Sequence, residues 1–301
     1  MRLQLTLLTT MLLLLTKVAL SQELFGKEEK TFADHWDLGE NAKTNADLFV
    51  IHTYKPVYLL AGKVSNNVNR LPYSDNPDRN ITEPIPLNKT EQLFQLSLKT
   101  KVFNNLFGAR RGGDVWVGYT QASFWQVFNT DLSRPFRETN YEPELMFILP
   151  VNYRLFGMEG VFVGIGLNHQ SNGRSNPLSR SWNRIIAQVA LQGEHSSLVV
   201  KPWWRLPESI DEDDNPGIEN YMGRSEAVFA WQKGIHHFNC TARHSLRFGE
   251  NNRGSLKIAY AVRVYGNLKV RAQVFSGYGE SMIDYNHRQT VVGLGFSLVE
   301  W

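Results

Sequence analysis

The sequence predicts an all-β fold: a single transmembrane antiparallel β-barrel of about twelve strands, preceded by a cleaved signal peptide. Three observations predict it. Long runs alternate apolar and charged residues at period two, no stretch beyond the N-terminus is apolar enough for a membrane helix, and the last alternating run stops at the aromatic Trp301.

The chain opens with Met1 and Arg2. Leu3, Leu5, Leu7, Leu8, Met11 and Leu12 to Leu15 then form an apolar core that ends at Lys17, and Ala19-Leu20-Ser21 follows where a signal peptidase reads small residues. Residues 1–21 therefore read as a secretory signal, too short and too poorly flanked for an anchor, and the mature chain is expected to start near Gln22. Residues 22–47, with Trp36 and Asp37, carry no assignable pattern and are expected to form an N-terminal periplasmic segment. The barrel is expected over 48–301.

Alternation dominates from about residue 48 onward. Phe94, Leu96, Leu98 and Val102 share one parity, and Gln95, Ser97, Lys99 and Lys101 the other. Leu256, Ile258, Tyr260, Val262 and Val264 stand against Lys257 and Arg263, and Leu268, Val270, Ala272 and Val274 against Lys269, Arg271 and Gln273. Period two over this length means strands with one apolar and one polar face. Such runs fall near 48–62, 91–106, 113–128, 141–155, 160–169, 182–193, 196–206, 219–233, 236–249, 254–266, 267–278 and 289–299. An even count suits a single-chain outer-membrane barrel, and many runs are long enough to cross a bilayer with tilt. Asn251-Asn252-Arg253-Gly254 and Tyr265-Gly266-Asn267 look like hairpin turns, and 64–90 and 206–218 like longer loops. In the last run Val292, Leu294, Phe296 and Leu298 share a face, opposite Gly293, Gly295 and Ser297. A soluble all-β protein would bury the apolar face, leaving a charged face in every strand without the wet lumen that a barrel provides.

Composition narrows the function classes. Cys240 is the one cysteine, so there is no intrachain disulfide and no cysteine metal cluster. The net charge of +3 is spread along the chain, which argues against a nucleic-acid partner.

The segment that carries chemistry is Gly164-Ile165-Gly166-Leu167-Asn168-His169-Gln170-Ser171-Asn172-Gly173-Arg174. Val161, Val163, Ile165 and Leu167 occupy one parity, which continues onto His169 and Ser171, so both project from the apolar face. Two same-face residues at i and i+2 lie about 7 Å apart at Cα, close enough for an imidazole to take a proton from a serine hydroxyl. On the following run Asn183 shares parity with Ile185, Ala187, Val189 and Leu191, and also faces lipid. Its amide oxygen could orient the imidazole without adding an ion where burial of charge is costly. A His-x-Ser pair alone is weak evidence, and a cluster merely solvated at the membrane rim is the bland alternative. Three polar residues facing lipid on adjacent strands nevertheless point to a substrate arriving from the bilayer, an acyl ester of a phospholipid.

His169-Gln170-Ser171-Asn172-Gly173-Arg174-Ser175 and Ser179-Arg180-Ser181-Trp182-Asn183-Arg184 together resemble the active-site signature of the outer membrane phospholipase A family. Pro135 to Pro143, Tyr119-Thr120-Gln121, Val200 to Trp203, Asp213 to Pro216 and Ser276 to Ser281 resemble further blocks of that family, in order, from about residue 90 to the end. The resemblance implies a twelve-stranded barrel with a serine hydrolase site on its outer surface, with Ser171 as nucleophile, His169 as base and Asn183 as the orienting residue. It implies Ca2+ at the interface of a homodimer, held by the Arg174 carbonyl and the Ser179 hydroxyl of one chain and the Ser133 carbonyl of the other, with the Gly173 N–H assisting at the oxyanion. It also implies a dimer role for Gln121, whose parity with Val115, Val117 and Tyr119 turns it to lipid. The expected activity is hydrolysis of sn-1 and sn-2 acyl esters of phospholipids and lysophospholipids. Asp211, Asp213 and Asp214 lack an EF-hand spacing and read as a solvated loop. A porin, or a barrel of this family that has lost catalysis, are the competing readings. The inward Lys99, Lys101, Lys201, Arg205, Lys257, Arg263 and Arg271 argue against the first, and the intact Ser171, His169 and Asn183 against the second.

Overall fold

The computed structural model describes residues 31–38, 48–108 and 112–300. The expected signal peptide, the remainder of the 22–47 segment and Trp301 lie outside the described residues.

Alternation becomes architecture because one parity of each strand can face lipid only if the other faces a shared interior. The strands are β1 (Ile51–Thr53), β2 (Val57–Ser65), β3 (Thr90–Phe103), β4 (Asp114–Trp125), β5 (Phe136–Pro150), β6 (Arg154–Leu155), β7 (Met158–Ser171), β8 (Ser181–Gln192), β9 (Ser196–Arg205), β10 (Ser225–Lys233), β11 (His236–His244), β12 (Gly254–Tyr265), β13 (Leu268–Tyr278) and β14 (Arg288–Val299). Apart from the short β1 and β6, twelve strands pair antiparallel around a ring that closes where β14 meets β2, and among the described residues this ring leaves no sheet edge open to lipid. β1 and β2 both pair with β3, as one expected run interrupted around Pro56, which has no N–H for the ladder.

The twelve expected runs correspond to these twelve strands, and the differences lie at their ends. The run drawn at 219–233 begins at Ser225, because Ile218–Asn220 forms a 3-10 turn and Gly223 takes φ +99°. β5 starts at Phe136, earlier than the apolar pattern suggested, because its polar first residues continue the backbone ladder with β4. Gly266-Asn267 is the expected tight turn, whereas 245–253 is a longer connection containing its own 3-10 turn.

At one end three connections are tight (193–195, 234–235, 266–267) and two are longer (104–113 and 151–157), while at the other end all are long (66–89, 126–135, 172–180, 206–224, 245–253, 279–287). In outer-membrane barrels the short turns are periplasmic and the long loops extracellular, which places the 172–180 loop and the end of β7 near the outer leaflet.

The lumen is filled. At the periplasmic end Trp36 is buried against Trp116, Tyr54 and Phe162, with ring centroids 5.6, 5.9 and 4.8 Å away, and the Lys99 ammonium sits 3.1 Å from the centre of the Trp36 ring. Thus part of the segment expected to be periplasmic, residues 31–38, packs into the barrel mouth, where Ala33 N–H donates to Gln192 Oε1 at 2.8 Å. Further along, Lys55 pairs with Glu142 (2.9 Å) and Glu144 (3.0 Å), Arg184 with Glu142 (3.1 Å), and Lys63 with Glu91 and Glu280 (2.9 and 2.8 Å). Between these groups lie cavities of about 100 and 90 Å³, room for small water clusters. At the extracellular end Trp182, Ile218, Met222, Met282 and Tyr285 form a second apolar layer.

Candidate active site

β7 and β8 pair with His169 opposite Asn183 and Ser171 opposite Ser181. Their inward residues lock the two strands together. Arg184 Nε donates to Asn168 Oδ1 at 3.0 Å, and Trp182 Nε1 donates to Gln170 Oε1 at 2.9 Å. With 168, 170, 182 and 184 turned to the lumen, pleating turns 169, 171 and 183 outward. His169 is exposed on the outer face, and Ser171 and Asn183 are half-buried there.

The imidazole and the amide meet: His169 Nδ1 lies 2.9 Å from Asn183 Oδ1. An amide oxygen only accepts, so Nδ1 carries the proton and Nε2 keeps its lone pair. That nitrogen is the one available to a hydroxyl on the same face. On the other flank the β5–β7 ladder is broken. It runs from Pro150↔Phe162 to Glu144↔Asn168, lapses beside His169 and Gln170, and resumes at Tyr141↔Ser171. Pro143 occupies the gap and has no N–H to pair.

The loop after Ser171 is cinched by Asn172, which is buried. Its Oδ1 accepts from the N–H of Arg180 (2.9 Å) and of Arg174 (3.3 Å), and its Nδ2 donates to the Leu178 carbonyl (2.8 Å). Gly173 has φ +59°, and a Cβ there would sit 2.7 Å from the Tyr141 ring, so both backbone and space call for glycine. Asn172 and Pro143 stood inside recognised blocks without an assigned role. An Asn-Gly pair and a proline within a strand were the signals available.

The groups expected to hold a cation are all at this end. Arg174 is exposed in the 172–180 loop, with its guanidinium donating to the Arg137 carbonyl at 3.0 Å. The Ser179 hydroxyl donates to Asp214 Oδ2 at 2.5 Å, leaving its lone pairs to other partners. Ser133 lies exposed in the 126–135 loop, where it and Arg134 take φ of +57° and +54° in succession. Such a conformation costs about 1–3 kcal/mol per non-glycine residue and collects at functional sites. Among the described residues no cluster of three or more His, Cys, Asp or Glu side chains is disposed to hold a metal, and the donors expected here are carbonyl and hydroxyl oxygens. Gln121 is half-buried on the outer face of β4, accepting from the Tyr119 hydroxyl (3.0 Å) and donating to Ser123 Oγ (3.2 Å).

Asp213 and Asp214 are not solvated, contrary to expectation. Both are buried, the first paired with Arg205 and the second with Arg79, each at 2.6 Å. They tie the 206–224 loop to β9 and to the 66–89 loop. Arg79 is remote in sequence, and although Arg205 is a near neighbour along the chain, nothing in the local spacing announced either pairing.

Comparison with known proteins bears on the family and the fold. A family model described as phospholipase A1 matches residues 33–298. A putative phospholipase A1 of Neisseria meningitidis serogroup B is 36% identical over 253 residues, covering 82% of this chain and 65% of that protein. The chain therefore spans slightly less than two thirds of that relative's length. The Salmonella typhi outer membrane phospholipase dimer with bound calcium superposes with a TM-score of 0.74 at 32% identity, covering 88% of this chain and 96% of that one. An active-site asparagine-to-alanine mutant of the Escherichia coli outer membrane phospholipase A superposes with a TM-score of 0.74 at 30% identity, covering 90% and 98%. A closed twelve-stranded barrel, a match over nearly the whole described chain and relatives of this identity lead to one conclusion: the chain belongs to the phospholipase A1 family and shares its outer-membrane barrel.

Proposed function

We propose that this chain is a calcium-dependent phospholipase that hydrolyses sn-1 and sn-2 acyl esters of membrane phospholipids and lysophospholipids, with Ser171, His169 and Asn183 as its triad. One observation carries the reading: a hydrogen-bonded imidazole–amide pair and a serine share the lipid-facing side of two adjacent strands. An unpaired polar group there costs several kcal/mol, so such a set needs a reason to exist. The relative solved as an active-site asparagine mutant supports a catalytic asparagine in this family.

Ser171 Oγ attacks the ester carbonyl carbon while His169 Nε2 takes its proton. Asn183 Oδ1 holds Nδ1–H and steadies the imidazolium that results. The Gly173 N–H, in the turn beside Ser171, is the donor this reading assigns to the oxyanion. His169 then returns the proton to the departing lysophospholipid alkoxide, leaving an acyl-serine. A water deprotonated by His169 attacks that ester, releases the fatty acid and restores the Ser171 hydroxyl.

The hard oxygens of Arg174 and Ser179, with the Ser133 carbonyl of the partner subunit, suit Ca2+, and the Ser179 proton already directed to Asp214 leaves a lone pair for a cation. Bound there, the ion would supply positive charge that favours the oxyanion. The calcium-bound dimer of the Salmonella typhi relative supports both the ion and the homodimer. The filled lumen speaks against a pore.

The test is hydrolysis by purified protein in detergent micelles. Release of fatty acid that needs calcium, stops with a chelator and is lost in Ser171→Ala is expected. Ion conductance without lipolysis would reverse the conclusion.

A further inference from the structure

An amide serves a catalytic imidazole only one way round. Turned by 180°, Asn183 would present Nδ2–H to His169 and demand a lone pair from Nδ1. The proton would then sit on Nε2, which could no longer accept from Ser171. A flip that moves no backbone atom would disable the base, and nothing within the His169–Asn183 pair forbids it.

The restraint lies on the far side of the amide. Asn183 Nδ2 donates to Glu208 Oε1 at 3.1 Å. A carboxylate only accepts, so the amide nitrogen is drawn toward Glu208 and Oδ1 is left for the imidazole. Backbone brings the two together. Leu206 N–H donates to the Asn183 carbonyl at 2.8 Å, extending the β8–β9 pairing one step past Arg184↔Arg205. Pro207 follows with a fixed φ, and Glu208 comes to rest half-buried beside the amide. Burial pushes its carboxyl above the usual carboxylate range, as do Asp213 and Asp214, while Arg205 and the Asn183 hydrogen bond pull it down. The 206–224 loop thus reaches the outer face of β8 with an acceptor that neither the triad nor the calcium donors include.

We infer that Glu208 is a positioning residue: it fixes the Asn183 amide with Oδ1 toward His169, and through it the tautomer that leaves Nε2 free for Ser171. The inference rests on the triad reading above. It gives the imidazolium a negative charge one group removed, where the loop rather than the bilayer surrounds it.

Full-length protein in micelles with calcium, assayed above neutral pH, tests it. Glu208→Ala is expected to lower kcat about tenfold with KM and thermal unfolding unchanged. Glu208→Gln keeps an acceptor oxygen but adds a donor, so it no longer dictates the direction of the Asn183 amide and should fall between wild type and Glu208→Ala. Asn183→Asp sets two carboxylates against each other and should fall further. Adding Glu208→Gln to it supplies an amide donor to the new carboxylate, so the double variant should exceed Asn183→Asp about tenfold. A merely structural Glu208 would instead add its own loss. Wild-type kcat in Glu208→Ala, or a double variant no better than Asn183→Asp, overturns the inference. Ser171→Ala separates the two layers. If it is inactive while Glu208→Ala is fully active, only the Glu208 role falls, and if it stays active the triad and Glu208 fall together.

Discussion

The inner and outer faces of this barrel both hold polar side chains where solvent is scarce, and they meet that difficulty in opposite ways. Inward, ions are met by ions: Lys63 lies between Glu91 and Glu280, Arg137 between Glu91 and Asp284, and Arg271 against Glu300. Outward, the cluster on β7 and β8 consists of a hydroxyl, an imidazole and an amide, none of which needs a formal charge at rest. Buried ions suit a site that never changes. A neutral set can gain and lose a proton without a counter-ion held in lipid. The difference separates two roles: the charged interior is architecture, and the small neutral patch outside is where the proposed chemistry sits.

The largest effect should therefore come from one outward atom. Ser171→Ala is expected to cut phospholipid hydrolysis by about 10⁴-fold or more, with unchanged urea unfolding in bilayers. Next comes the inward counterpart. Arg271→Ala leaves the Glu300 carboxylate, which also accepts from Asn239, buried without its guanidinium. Breaking such a pair costs about 3–5 kcal/mol, read as a lower unfolding midpoint, while the rate per folded molecule stays the same. If Arg271→Ala lost activity at full stability, the division between the two faces would be wrong.

The same comparison explains what could be read from sequence. Strand parity is local, so Lys99 and Lys101 against Leu96 and Leu98 announced which way each residue points, and the closed ring followed from repeating that signal twelve times. His169, Ser171 and Asn183 were visible as polar residues on the apolar parity. Contacts made by loops were not visible. Asp214 meets Arg79, Glu208 meets Asn183, and Trp36 enters the lumen, each through chain closure between segments remote in sequence. No periodicity encodes such meetings, and for that reason the aspartates were misread as solvated.

Asn183→Ala should rank third. It removes the acceptor that holds Nδ1–H, but Ser171 and the Nε2 position remain, so a loss of about a hundredfold in kcat with little change in KM is expected. Steady-state kinetics on a short-chain phospholipid checks it. Gly173→Ala follows. A side chain at φ +59° against the Tyr141 ring costs about 1–2 kcal/mol and shifts the turn that carries the Gly173 N–H, so kcat should fall more than stability does. Tyr141→Ala added to it opens the space but leaves the backbone strain, so recovery should be partial.

Gln121 offers the smallest effect and the finest division between the faces. Alone among the proposed functional residues it sits on β4, and its acceptor and one donor are already engaged by Tyr119 and Ser123 within one chain. The second amide N–H and the second lone pair of Oε1 remain for a neighbour, which is what a contact between two copies needs. Such bonds in membranes average about 0.6 kcal/mol, so Gln121→Ala should weaken dimerisation by less than about tenfold. Activity at low protein density should fall with the dimer fraction and recover at high density, whereas Ser171→Ala stays inactive at any density. Sedimentation equilibrium in micelles, run beside the assay, tests this. A Gln121→Ala variant that dimerises normally yet loses activity would place Gln121 in the chemistry rather than in the assembly that supports it.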